Sequence, residues 1–172
     1  MVHLVPHLSQ GLGFTLTEAA LVVALLTGFQ MFGQIVGGYL GDRFNKRWLC
    51  IACMVVHALA LLELAYATEV SEVILFAIMH GLAWGVRGPL MVAIRADYFG
   101  PSAFGTIMGF SSLILMFGMS GGPIIAGYMA DLYGDYKIGL VSIACAAFLG
   151  SFCFVAARKP ELRDRELTDQ ER

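Results

Sequence analysis

The sequence predicts an all-α membrane protein of about five transmembrane helices, and composition, charge placement and periodicity carry that expectation. Of 172 residues, 58% are hydrophobic and 14% charged, and the mean hydropathy is +0.75. That is more apolar surface than one soluble core of this length can bury. The charged residues are segregated, leaving long uncharged runs between them. These runs lack the apolar–polar alternation of barrel strands, so their backbone groups must be satisfied within helices. Nothing in this composition suits a nucleic-acid partner; the lipid bilayer is the expected surroundings.

The opening residues, Met1 to Leu8, are apolar but too short to span, and they lack the basic leader of a signal peptide. They run into a Gly/Ser/Thr loop, Ser9 to Thr17, and are expected to be the last turns of a helix that precedes the sequence. Between Glu18 and Asp42 lies the uncharged run 19–41. At about 1.5 Å per residue it crosses a ~30 Å hydrocarbon core. Runs 48–68 and 73–94 are further spans with one interior charge each, Glu63 and Arg87. Gly100 and Pro101 break the next run, so its helix is expected over 104–130, and the last over 138–157. The chain thus divides into a partial transmembrane domain, 1–158, and a polar tail, 159–172.

Lys and Arg set the expected orientation. Arg43, Lys46 and Arg47 follow the first span, Arg95 ends the third, and Arg158, Lys159, Arg163, Arg165 and Arg172 follow the fifth. All fall on one side, whereas Glu18, Glu69, Glu72, Asp131 and Asp135, with Lys137, fall on the other. The positive-inside rule puts the N-terminus outside and the C-terminus in the cytoplasm, in a plasma or inner membrane.

After the first span come Gly38, Asp42, Arg43, Asn45, Lys46 and Arg47. This spacing resembles the turn signature of the major facilitator superfamily, with Asn45 where glycine is usual. Asn45 tolerates the left-handed conformation that ends a helix, and a small residue at Gly38 lets two helices approach. Further stretches, His3 to His7, Arg95 to Gly100, Ala103 to Thr106, and Gly122, Pro123, Gly127 and Asp131, resemble the second half of monocarboxylate and oxalate–formate carriers. The resemblance implies an incomplete C-terminal six-helix bundle of a twelve-span fold whose missing N-terminal half is the partner. The first half carries the same signature, but Phe76 and Ala77 stand where its upstream Arg belongs. The resemblance also implies that Asp42, Lys46 and Asp97 form a latch favouring one orientation of the carrier. Three solvated charges worth little are the alternative.

His80, Trp84 and Arg87 share a helical stripe by their i, i+4, i+7 spacing, beside a stripe of Gly81, Gly85 and Gly88. An intramembrane Arg is expensive in lipid, and Arg87 is either a cation for an anionic substrate or a snorkelling anchor. In the first span Gln30 and Gln34 follow Thr27 on one stripe, to line the same path or to bind neighbouring helices. The fourth span, with Gly105, Gly109, Gly118, Gly121 and Gly122, is expected to pack closely and to bend at Pro123. Cys50 and Cys53 read as small packing residues. His57 and Glu63 fall on different faces, and proton coupling is their less favoured reading. No nucleophile–base pair, metal-ligand set or phosphate loop is visible, so no enzyme activity, metal or cofactor is expected. The leading expectation is secondary transport of a small organic anion by alternating access, with a proton or ion as coupling partner. The alternative is a non-transport subunit or receptor built on a truncated carrier fold.

Overall fold

The computed structural model describes residues 3–159, so Arg163, Arg165, Arg172 and the rest of the expected tail beyond Lys159 lie outside the described residues. A short helix α1 (Leu4–Pro6) runs into a π-helical turn (His7–Gly11), followed by α2 (Leu16–Arg43), α3 (Lys46–Tyr66), α4 (Val70–Phe99), α5 (Phe104–Tyr133) and α6 (Lys137–Ala156). Helices α2 to α6 are long and apolar enough to cross a membrane.

Helix ends depart from the uncharged runs because charges also serve as caps. Thr15 caps α2: its Oγ1 accepts from the Glu18 amide at 3.3 Å, while Glu18 accepts from the Thr15 amide at 2.8 Å. This reciprocal pair starts the helix at Leu16 and puts Glu18 inside its first turn. Glu69 and Glu72 do the same for α4, which begins at Val70. Asn45 differs from expectation. At φ −65° and ψ 109° it is extended rather than left-handed, and its Oδ1 accepts from the Arg47 amide at 3.0 Å. It starts α3 instead of ending α2, and that duty suits Asn as well as a left-handed stop does. The left-handed stop belongs to Gly134 (φ 79°, ψ 0°) after α5, while Gly100 ends α4 at φ 69° and ψ 179°, a conformation that also favours glycine.

The most extensive packing is α2 on α4; α3 lies against α4 and α6, and α5 touches α6 and α4 lightly. Glycine makes the α2–α4 approach possible. A Cβ on Gly33 would sit 2.8 Å from the Leu82 carbonyl oxygen, and one on Gly37 2.7 Å from Val86 Cα. From the other side, a Cβ on Gly85 would come 2.9 Å from Gly33 Cα, and one on Gly81 3.1 Å from Phe29 Cβ. Gly38, by contrast, faces open space, so the close approach expected of it is made by Gly37 and Gly41. The small-residue face of α5 is also unpacked among the described residues: Gly105, Gly109, Gly118, Gly121 and Gly122 meet nothing there, and Ala126 is the helix's one buried residue. The buried cluster gathers Leu8, Val22, Leu26, Leu64, Val73 and Phe76 around the opening turns.

Because the α2–α4 contact is backbone against backbone, no rotamer can relieve a clash there. Gly85→Val should destabilise the chain by roughly 1–3 kcal/mol or more. Gly28→Ala, at a helical position with nothing nearby, should be neutral or slightly stabilising. Thermal unfolding in detergent reads both; equal effects would show that the crossing is not tightly packed.

Candidate functional site

Two groups of polar side chains stand out, one within the spans and one at the α2–α3 turn. Within the spans, the packing of α3 on α4 sets a stripe of Cys50, Cys53, Met54 and His57 against His80, Trp84 and Arg87. Spacings of three and four residues put each set on one helix face.

The rings form a continuous run, each tilted against the next. Phe76 and His80 have centroids 5.1 Å apart, His80 and His57 3.8 Å, and Trp84 lies 5.5 Å from His57 and 5.9 Å from His80. The Arg87 guanidinium carbon is 5.4 Å from the Trp84 ring centre, within cation–π range. Its Nη1 donates to Met54 Sδ at 3.5 Å, a weak acceptor. Among the described residues no carboxylate pairs with Arg87. His80 is 3% exposed, and neither ring nitrogen has a hydrogen-bond partner. Cys50 and Cys53, two turns and one turn from His57 on α3, are free and buried.

The structure therefore brings His80, Trp84 and Arg87 together and adds His57, which the sequence reading set against Glu63 rather than against His80. The signal was present: Cys50, Cys53 and His57 are spaced i, i+3, i+7, which marks a shared face. The glutamines are not gathered in. Gln30 is half-buried where its backbone meets Gly85, and Gln34 is exposed.

At the turn, Lys46 Nζ lies 2.8 Å from Asp97 Oδ2, joining the start of α3 to the end of α4. Arg47 Nη1 and Tyr98 Oη both donate to the Ala157 carbonyl, at 3.3 and 3.1 Å, which ties in the end of α6. Arg43 lies 4.3 Å from the Tyr39 ring centre. Asp42 is exposed and forms no ion pair among the described residues, so it stands apart from Lys46 and Asp97. A cavity of about 290 Å³ opens here, lined by Asn45, Lys46, Arg47, Asp97 and Lys159 among others. At the opposite end, His3 Nε2 lies 2.8 Å from the Pro123 carbonyl and His7 Nε2 3.3 Å from that of Leu64, so the opening turns tie down α5 and α3. Burial holds His7 below its ordinary pKa, against the Leu64 carbonyl and Asp135, which raise it.

The family description Major Facilitator Superfamily matches residues 2–172. The chain is 30% identical over 127 residues to a multidrug resistance protein B homolog of Mycobacterium tuberculosis, covering 72% of this chain and 24% of that protein. It is 25% identical to a benzoate transport protein of Acinetobacter baylyi, over 84% of this chain and 31% of the other. It is 30% identical to monocarboxylate transporter 12 of Xenopus laevis, over 87% and 34%. The chain thus spans between a quarter and two-fifths of the length of such relatives.

The Lys46–Asp97 pair has side chains 27% and 47% exposed, so water screens it and its worth is about 0–1 kcal/mol. Asp97→Asn should accordingly leave membrane abundance intact and shift thermal unfolding by a few degrees at most. A collapse of abundance would make the pair a requirement for folding.

Proposed function

The chain belongs to the major facilitator superfamily and is an integral, multi-pass membrane protein; from that premise we propose that it forms one wall of a secondary carrier for a small organic anion. The observation that carries this reading is Arg87, a permanent cation on a membrane-spanning helix with a thioether and an indole face for company and no carboxylate among the described residues. A guanidinium in that position favours an anion that arrives from solution, and its planar fork matches a carboxylate in two hydrogen bonds. Trp84 supplies an apolar wall for the body of such an anion. Relatives named for benzoate and monocarboxylate transport support the same class.

The rest of the reading follows the two-state logic of such carriers. The missing N-terminal half supplies the facing wall, against the open small-residue face of α5. Lys46 and Asp97 act as the latch at the basic end, strong enough to bias two states several-fold yet weak enough to break in each cycle. Arg43 and Arg47 keep the turn that also carries Gly38 and Asp42 on the cytoplasmic side, with the N-terminus of this chain outside and its C-terminus inside.

Uptake of benzoate by the full-length carrier, at matched membrane abundance, tests the assignment. Arg87→Lys keeps the charge and loses the fork, so uptake should fall about tenfold; Arg87→Gln loses both and should nearly abolish it. Normal uptake by both variants would make Arg87 a snorkelling anchor. For orientation, Thr68→Cys should react with an impermeant thiol reagent in intact cells; reaction after permeabilisation alone would invert the topology.

A further inference from the structure

The close contact of the His57 and His80 imidazoles is not explained by anion binding. A neutral imidazole carries one donor and one acceptor, and a buried one normally satisfies at least one of them. His80 satisfies neither, although 97% of it is removed from solvent; its neighbours are the rings of Phe76, His57 and Trp84. Packing alone would be better served by Phe or Leu at this position, so the unpartnered nitrogens point to a ligand that needs a lone pair. His57, from the facing helix, is 9% exposed and is therefore the outer member of the pair.

We propose that His57 and His80 form a proton-binding site that takes up one proton between them, and that an anion at Arg87 governs its occupancy. The proton comes from water on the open side of the carrier and is held by an imidazole lone pair, with no bond broken in the protein. A second proton is excluded because two imidazolium rings with centroids 3.8 Å apart repel strongly away from water. Arg87, across the Trp84 ring from both histidines, opposes even the first proton while it stands without a counter-ion. A carboxylate on the guanidinium cancels that charge and admits the proton, so one anion and one proton load together. This linkage rests on the reading of Arg87 given above; the proton site itself does not.

The other ionisable groups around the pair are few. From α3 come the Cys50 and Cys53 thiols, and from α4 Arg87. Helix α2, packed on α4, carries its charged residues only at its ends, Glu18 at one and Asp42 and Arg43 at the other. Helix α6, packed on α3, brings Cys145 and Cys153, both exposed.

Trp84 touches all three groups and is the natural reporter, since a neighbouring imidazolium quenches indole emission. The full chain in lipid nanodiscs, with Trp48→Phe to leave Trp84 as its single tryptophan, is titrated from neutral to acid pH. A single one-proton quenching step is expected. His57→Gln and His80→Gln should each displace the step, and the double variant should abolish it. Benzoate should raise the midpoint in the Arg87 chain and leave it unmoved in Arg87→Gln, whose midpoint without benzoate should already stand about one unit higher. The proposal is overturned by a step that survives in the double variant, by a two-proton step, or by no step at all. If the double variant abolishes the step but benzoate never moves it, the proton site stands and the anchoring role of Arg87 falls. Should the glutamine variants not fold, the unmutated chain labelled with 15N-histidine decides: His57 and His80 must titrate as one coupled pair, and independent titration refutes it.

Discussion

The close approach of α2 to α4 fixes where every other polar group in the chain can stand, because four glycines let two backbones meet with no side chains between them. In lipid there is little hydrophobic gain from one helix touching another, so association must come from tight van der Waals contact, and glycine maximises it. With Gly81 and Gly85 spent against α2, the remaining faces of α4 are set by helical geometry. His80, Trp84 and Arg87 are turned to α3, and Leu90 packs on Gly41. The polar cluster is thus a consequence of the glycine crossing as much as of its own residues.

The two ends of the bundle use charge in different ways. At the end with the opening turns, Glu18 and Glu72 are absorbed into helix caps, where carboxylates satisfy amides that a helix leaves unpaired. At the basic end, Lys46, Arg47, Asp97 and Tyr98 join α3, α4 and α6 through an ion pair and a shared carbonyl. Caps act within one helix and persist in any packing. The ties at the basic end run between helices and depend on how those helices sit, which suits them to sensing a change of state.

Much of the architecture was legible in the residues. Long uncharged runs announced helices, and the turn after the first span announced the family that the comparison then showed. Errors arose where one residue has two local uses. Glu18 reads as the boundary of an apolar run yet lies in the first turn of the helix and caps it, and Asn45 reads as a stop for α2 yet starts α3. Gly38 reads as the packing residue of its motif, whereas Gly37, one residue and about 100° away, is the one in contact.

By itself the sequence determined the five spanning helices of the described residues and the grouping of basic residues at one end, since those follow from transfer energies and covalent spacing. It also placed His80, Trp84 and Arg87 on one stripe, because 3.6 residues per turn is a local property. Tertiary structure alone decided which helix that stripe would meet. His57 and His80 are separated by a full turn-around of the chain, and their contact at 3.8 Å depends on the rotation of α3 about its axis, which no periodicity reports. The same holds for Lys46 reaching Asp97 while Asp42 stands apart, and for Gly105, Gly109 and Gly118 of α5 left open while Gly33 and Gly37 of α2 are filled. Spacing along one helix gives a face; only the packing of a second helix says what that face encounters.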